Sequence, residues 1–334
     1  MAAPNTLTSD LLPSTQLAYV KKALERLVPG FVYYKTCQAD PESYKLPENG
    51  GRTAVFFRYN NLTANTTPLD QVSAGAGVVV SRETVEATVA EYGTYTLVPG
   101  LVRRTDIDPS VIKNIEEVLA DNARETLDLI ARDTISSNAQ VVYANGSAVG
   151  TIDSGDTLTL LDVMKQVAKL QAARVKPYDD GFYKAILHTY QAHDLFVETS
   201  TGNIAIRDLK KYDDAKNLDE LMKPDFMTGR IGSIGNIMFY QTDLAKSAVV
   251  NSISTREAFV MGKGGFGAVS VSAPASGFNI FVNYSGEGQI SDPYRRQTTV
   301  AWYIPTFAVA NLDDNAASSK NTRAIKIISA TSLD

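Results

Sequence analysis

The chain of 334 residues has one cysteine, Cys37, two histidines, His188 and His193, and one tryptophan, Trp302. A single thiol excludes an intrachain disulfide and fits a reducing compartment. Cys37 reads as a small, partly buried apolar residue, because neither histidine is near it in sequence to serve as a base. The two histidines are five positions apart. That spacing does not set two imidazoles on one helix face, and no Glu lies between them as in the zinc-protease pattern. No run of eighteen apolar residues occurs, which excludes a transmembrane helix. Met1 to Gly30 lacks a basic segment followed by an apolar one, so no secretory signal is expected. The Asn-x-Ser/Thr matches at Asn61, Asn65, Asn145 and Asn283 are then chance matches in an Asn/Thr/Ser-rich chain. Charged residues make up 21% and the net charge is −5. A dedicated nucleic-acid binder would carry a basic footprint instead.

Catalytic patterns are equally scarce. Gly262-Lys-Gly-Gly-Phe-Gly-Ala-Val269 fits the glycine-rich phosphate loop of protein kinases. The partner motifs of a kinase are missing: no strand lysine in its Val-Ala-Ile-Lys setting, no His-Arg-Asp loop, and Asp225-Phe226 is followed by Met227. The glycines do not follow a strand and open a helix, so a dinucleotide loop is not expected. A Gly-x-Ser-x-Gly elbow and a P-loop are absent. Asp213-Asp214 and Asp313-Asp314 read as surface charge rather than as acid/base pairs. No catalytic residue, metal or cofactor is expected.

What the chain does have is patterned structure. Arg52 to Tyr59 and Val78 to Val89 alternate as strands. Between them, Asn60 to Gly77 is rich in Asn, Thr, Ala and Gly, with Leu62, Leu69 and Val72 as its main apolar residues. So long a loop is uncommon in a compact domain and is usually a binding loop. The flanking strands carry Val55, Phe57 and Tyr59 on one face, and Phe56 with the stems of Arg52 and Arg58 on the other. A lone hairpin is marginal in water, so one face is expected to lie on an adjacent subunit.

Pro109 to Ile135 predicts a long helix with Asp108 as N-cap. Val111, Ile115, Val118, Leu119, Leu127 and Ile130 form its apolar stripe. Further helices are expected at Ser14–Val28, Leu160–Arg174 with Met164 in its core face, Thr189–Phe196 and Ile206–Met222. Strands are expected at Phe31–Tyr34, Phe182–His188, Asn236–Gln241, Ala268–Ala273, Phe278–Tyr284, Thr298–Ala310 and Thr322–Ser329. Helices and strands interleave before strands dominate, which predicts an α+β fold.

Several short segments, in this order, resemble a known family. They are Arg52-Thr-Ala-Val-Phe-Phe-Arg-Tyr-Asn-Asn-Leu62, Thr67-Pro-Leu-Asp70 and Val85-Glu-Ala-Thr-Val-Ala-Glu-Tyr-Gly93. Asn122-Ala-Arg-Glu-Thr-Leu-Asp-Leu-Ile-Ala-Arg-Asp133 follows, then Leu187-His-Thr-Tyr-Gln-Ala-His-Asp-Leu195, Gly229-Arg-Ile-Gly-Ser-Ile-Gly-Asn-Ile-Met-Phe239 and Asp292-Pro-Tyr294. The chain resembles the major capsid proteins of tailed bacteriophages with the HK97 fold, in the branch of podophages related to phage N4. The resemblance covers about residues 50–310.

It implies an N-terminal arm at 1–43 and an extended loop at 44–90. A peripheral domain at 91–156 would carry the spine helix at 109–135. An axial domain would occupy 157–288, and 289–334 would return to the peripheral sheet and end in a C-terminal strand. It implies a shell enclosing double-stranded DNA, located in the virion and assembled in the host bacterial cytoplasm. Partners would be other copies of the chain in pentamers and hexamers, with portal, scaffolding and decoration proteins, and weak non-specific contact with packaged DNA. No membrane contact is implied. Contacts between copies are expected at Arg52, Phe56, Arg58, Leu62, Leu69, Arg103, Arg104, Arg295 and Arg296. With about thirty residues before the core, a fused scaffold and its cleavage are not expected. Nor is a Lys–Asn crosslink, because no Lys lies between Tyr59 and Gly77. The alternatives are an encapsulating compartment on the same fold and a soluble enzyme with an unrecognised site.

Overall fold

The computed structural model describes residues 32–38, 44–46, 51–66, 77–99, 111–146, 148–197, 229–271, 279–284, 297–313 and 320–333. In chain order the elements are α1 (Tyr33–Gln38), β1 (Tyr44–Leu46), β2 (Thr53–Tyr59), β3 (Arg82–Thr88), β4 (Ala90–Pro99), α2 (Val111–Asn138) and β5 (Ala139–Tyr143). Then come α3 (Leu160–Ala172), β6 (Tyr183–His188), α4 (Thr189–Val197), β7 (Arg230–Ile234), β8 (Ile237–Thr242), β9 (Ser247–Val250) and β10 (Ile253–Met261). The last are β11 (Phe266–Val271), β12 (Asn279–Tyr284), β13 (Gln297–Asn311) and β14 (Asn321–Ala330). The helices expected at Ser14–Val28 and Ile206–Met222, and the cap at Asp108–Pro109, lie outside the described residues.

The long helix α2 runs three residues past its expected end. Leu119, Ala123, Leu127, Ala131 and Ile135 form one fully buried row at i, i+4 spacing. Alanines in that row let the helix approach a sheet closely. Against it lie Val98 of β4 and Val300, Trp302, Ile304 and Phe307 of β13. Trp302 is buried, and its Nε1–H donates to Asn122 Oδ1 at 3.0 Å, which satisfies the indole where it meets the helix. Val118, expected in the stripe, is 68% exposed. It is one position, about 100° of helical turn, from the buried row.

Two sheets share the body. In the five-stranded one, β13 is central: it pairs antiparallel with β4, β11 and β12, while β1 joins β11 in parallel. The seven-stranded one runs β5-β14-β10-β6-β8-β7, with β9 also on β10. Strand β14 lies among the seven strands, whereas β11 and β12 lie with β13. Beyond the passage from β4 to β5 through α2, the chain therefore crosses between sheets twice, from β10 to β11 and from β13 to β14. The kinase-like glycines form the first of these crossings. Gly264 has φ +77°, and a Cβ there would meet the Arg323 guanidinium. Lys263 pairs with Asp179.

Helix α3 packs on the seven-stranded sheet through Leu160, Val163, Val167 and Leu170. Thr159 caps it by accepting the Asp162 amide at 3.2 Å. Met164 is turned out to solvent rather than into the core face. Of the strand expected at Phe31–Tyr34, Tyr33 and Tyr34 lie instead in α1, and Phe31 lies outside the described residues. Asp128, from the middle of α2, accepts the Tyr34 amide at 3.0 Å and so caps this second helix from outside it.

Candidate assembly surface

The paired strands β2 and β3 form a two-stranded sheet of their own. Period-2 alternation gives it two unlike faces. The inner one carries Ala54, Phe56 and Arg58 opposite Ala87, Val85 and Glu83. Ala54, Ala87 and Val89 are buried with Val269, Ala310 and Leu312 of the body, and Phe56 packs against that cluster. The outer face carries Val55, Phe57 and Tyr59 opposite Glu86, Thr84 and Arg82. Phe57 and Tyr59 meet edge to face with centroids 6.2 Å apart, and are 60% and 62% exposed. The Arg82 guanidinium lies 5.2 Å from the Phe57 ring centre. Beyond the strands, Leu62, Val78, Val79 and Val80 are exposed as well. The arm's inner side is thus a piece of its own subunit's core, and its outer side is an apolar surface in water.

Charge fixes where the arm leaves the body. Arg58 donates from Nε and Nη2 to Glu83 Oε2, at 3.1 and 2.8 Å, and from Nη1 to Asp313. Asp313 is buried; it also accepts the Thr322 amide at 2.9 Å and the Thr322 hydroxyl, with Arg323 Nε 3.8 Å away. Burial alone would raise its carboxyl, but the hydrogen bonds from Thr322 and Arg58 outweigh it and hold the group below the usual range. Hydrogen bonds from Asn60 and Arg58 likewise depress Glu83. Asp313 follows β13 and Thr322 lies in β14, so the arm is tied to the second crossing between the sheets.

The opposite regime holds along α2. Glu116 is buried, and among the described residues neither of its carboxylate oxygens has a hydrogen-bond partner. Burial pushes it up to about 7. Asp128 is pushed up to about 6 by burial, which the amides of Tyr34, Val32 and Tyr33 only partly offset. A third buried group is fully paired: Lys326 donates to Glu257 at 3.0 Å and to the Ser136 carbonyl at 3.2 Å, and Ser136 donates to Glu257 at 2.6 Å. Among the described residues no three His, Cys, Asp or Glu side chains converge as metal ligands, and no helix is long and apolar enough to cross a membrane. His188 accepts the Tyr190 amide at Nδ1, and His193 lies 3.6 Å from Asp194.

Of the residues expected at contacts between copies, Phe56 and Arg58 face their own subunit, the first in a shared core and the second in the Asp313 pair. Arg52 and Leu62 are exposed. Leu69, Arg103, Arg104, Arg295 and Arg296 lie outside the described residues. The outer trio Val55, Phe57 and Tyr59 replaces the inward pair as the exposed surface. Their alternation was visible in the sequence; which face turned inward was signalled only by the small residues Ala54 and Ala87 on the other side.

A body of two sheets on one long helix, with a hairpin arm projecting from it, is found in solved phage capsids. The capsid of Ralstonia phage GP4 superposes with a TM-score of 0.66 at 13% identity, over 87% of this chain and 86% of that one. The chain has the HK97-like capsid fold. The capsid of Cyanophage Pam1 gives a TM-score of 0.60 at 14% identity, over 96% and 95% of the two chains. Mycobacterium phage Bobi gives 0.56 at 10% identity, over 89% and 90%. No protein-family model and no curated protein matches this sequence.

Proposed function

We propose that this chain is a major capsid protein, which assembles through its surfaces into the icosahedral head shell around the double-stranded DNA of a tailed bacteriophage. The observation that carries this reading is the arm. It leaves a capsid-type body with three large side chains of its outer face in water, and a soluble monomer gains nothing from that exposure. A second copy would bury them. Each such contact is small, but repetition around a closed shell makes the whole strong. On this reading the five-stranded sheet and α2 form the peripheral domain, and the seven-stranded sheet with α3 and α4 forms the axial domain that builds pentamers and hexamers. The protein performs no reaction. It resides in the virion after assembly in the host cytoplasm, alongside portal, scaffolding and decoration proteins. The N4-like branch rests on the ordered segments from Arg52 to Tyr294. DNA contact is weak and not sequence-specific, as a net charge of −5 suggests.

The test joins Phe57→Ser and Tyr59→Ser on the outer face to replacement of Asn61–Ala76 by a short Gly-Ser turn. Because the inner face of β2 and β3 stays seated on the body, the variant should fold, with unchanged circular dichroism and melting. It should assemble poorly or not at all by sedimentation and electron microscopy. Normal shells from the variant would refute the arm as a latch.

A further inference from the structure

We propose that α1 is a clasp held on α2 by Asp128, and that protonation of this one carboxyl tightens it, so that acid seats α1 and neutral pH loosens it. The clasp belongs to the single subunit, whether or not it has assembled.

Helix α1 occupies a seam between the two sheets. Tyr33 and Cys37 are buried with Ile135 of α2, Phe259 of the seven-stranded sheet and Phe266 of the five-stranded one. The Tyr33 ring meets Phe259 edge to face, with centroids 5.9 Å apart. At six residues α1 is too short to persist as a helix in water by itself. It is held by this packing and by the carboxyl that meets it. Asp128 is fully buried and accepts the Tyr34 amide through Oδ1 at 3.0 Å. Its other oxygen, Oδ2, has no hydrogen-bond partner among the described residues. A carboxylate seated this way has lost its water and regained only part of what water gave it.

The neighbouring groups do not cancel that cost. On α2, Arg124 lies one turn earlier and favours the charged form, as do the amides of Val32, Tyr33 and Tyr34, but burial outweighs them all. On α1 the titratable side chains are Tyr33, Tyr34, Lys35 and Cys37. Burial keeps the Tyr33 hydroxyl protonated, and it feels Arg132 of α2 and Glu257 of β10 as well as Asp128. Both of those are engaged elsewhere: Arg132 with Asp133 and the Leu244 carbonyl, Glu257 with Lys326. When α1 lifts, Asp128 meets water again and recovers its ordinary acidity. Proton uptake therefore favours the seated state, and the hold weakens as pH rises through about 6. From that value and the ordinary 3.8 of an exposed aspartate, the ratio of seated to lifted α1 should be about tenfold higher at pH 5 than at pH 8.

Cys37 supplies the readout, because it is the only thiol in the chain and is buried within α1. The full chain is exposed to 4,4′-dithiodipyridine at pH values from 5 to 8. The labelling rate of the parent is divided by that of Asp128→Asn, which has no group to titrate at this position. The quotient cancels the ionisation of the thiol itself. It should be about tenfold smaller at pH 5 than at pH 8. Asp128→Ser serves as a second neutral reference, with melting as the check that each variant folds. Labelling should depend only weakly on urea below the unfolding transition, since lifting so short a helix exposes little surface. Asp128→Ala leaves the amides without their acceptor and should label about tenfold faster than the parent at pH 5. A quotient that stays flat, or that grows toward acid, against both neutral references would overturn the clasp. A urea dependence equal to that of global unfolding would overturn it as well, by showing that α1 leaves only when the whole chain unfolds.

Discussion

Around Trp302 the chain is held by shape. A ring of Val98, Leu119, Leu127, Val300, Ile304 and Phe307 surrounds an indole whose one polar atom is satisfied by Asn122. Around Arg58 it is held by charge, through Glu83 on the arm and Asp313 on the body. The first junction buries area and tolerates little change. The second spends one buried carboxylate to set a direction, and leaves the far side of the arm uncovered. On the proposed function, the described body packs a core of its own, whereas the arm awaits a neighbouring copy.

Breaking the first junction should have the largest effect. Trp302→Ala removes a large buried ring and should cost about 3–5 kcal/mol in denaturant unfolding. It is expected to lower the yield of folded subunit, so that assembly fails for want of protein. Asp313→Ala leaves Arg58 and the Thr322 donors without their shared acceptor. A loss of about 2 kcal/mol is expected, with faster proteolysis of the arm than of the body, read by limited digestion and mass spectrometry.

The carboxylates of α2 sharpen the comparison through pH. Their folded-state pKa values are raised, so each contributes stability that is fully present below about pH 4 and is lost as pH rises through about 6 for Asp128 and about 7 for Glu116. Subunit melting temperature should therefore rise as pH falls from 8 to 5. Below that, protonation of Asp313, whose pKa is lowered, removes stability in the opposite direction. Glu116→Gln should raise stability at pH 8 by roughly 2 kcal/mol and flatten the profile between 5 and 8, since one pKa unit is worth about 1.4 kcal/mol. The smallest effect on the fold belongs to the arm's outer face. Phe57→Ser with Tyr59→Ser should change unfolding free energy by less than about 0.5 kcal/mol, yet leave the subunit unable to form shells.

Periodicity made α2, α3, α4, β6 and β13 legible, because each buries one regular face or runs continuously apolar. Strand β10 was not, because Arg256-Glu257 interrupts its apolar run. Glu257 is buried only because Lys326, on a neighbouring strand far along the sequence, pairs with it. Strand β4 was hidden by its mixture of threonine, tyrosine and glycine, which reads as exposed on both sides until Trp302 and α2 cover one of them. The arm's alternation was readable and its inward face was not, since the partners Val269, Ala310 and Leu312 come from strands that the sequence does not mark as neighbours. Asp313 looked like surface charge for the same reason: Arg58 reaches it from 255 residues away along the chain.

Strand β14 has a consequence for the timing of synthesis. It lies between β5, its parallel neighbour, and β10, its antiparallel one. Until Asn321–Ala330 has left the ribosome, β5 and β10 each present an open edge, and the buried amine that neutralises Glu257 does not yet exist. A nascent chain can seat α2 on β4 early, but it cannot close the larger sheet. Parallel pairing over such a separation is slow to form. Partly made subunits thereby expose unpaired edges to one another, and removing even this one strand would open the sheet between β5 and β10 rather than trim its edge.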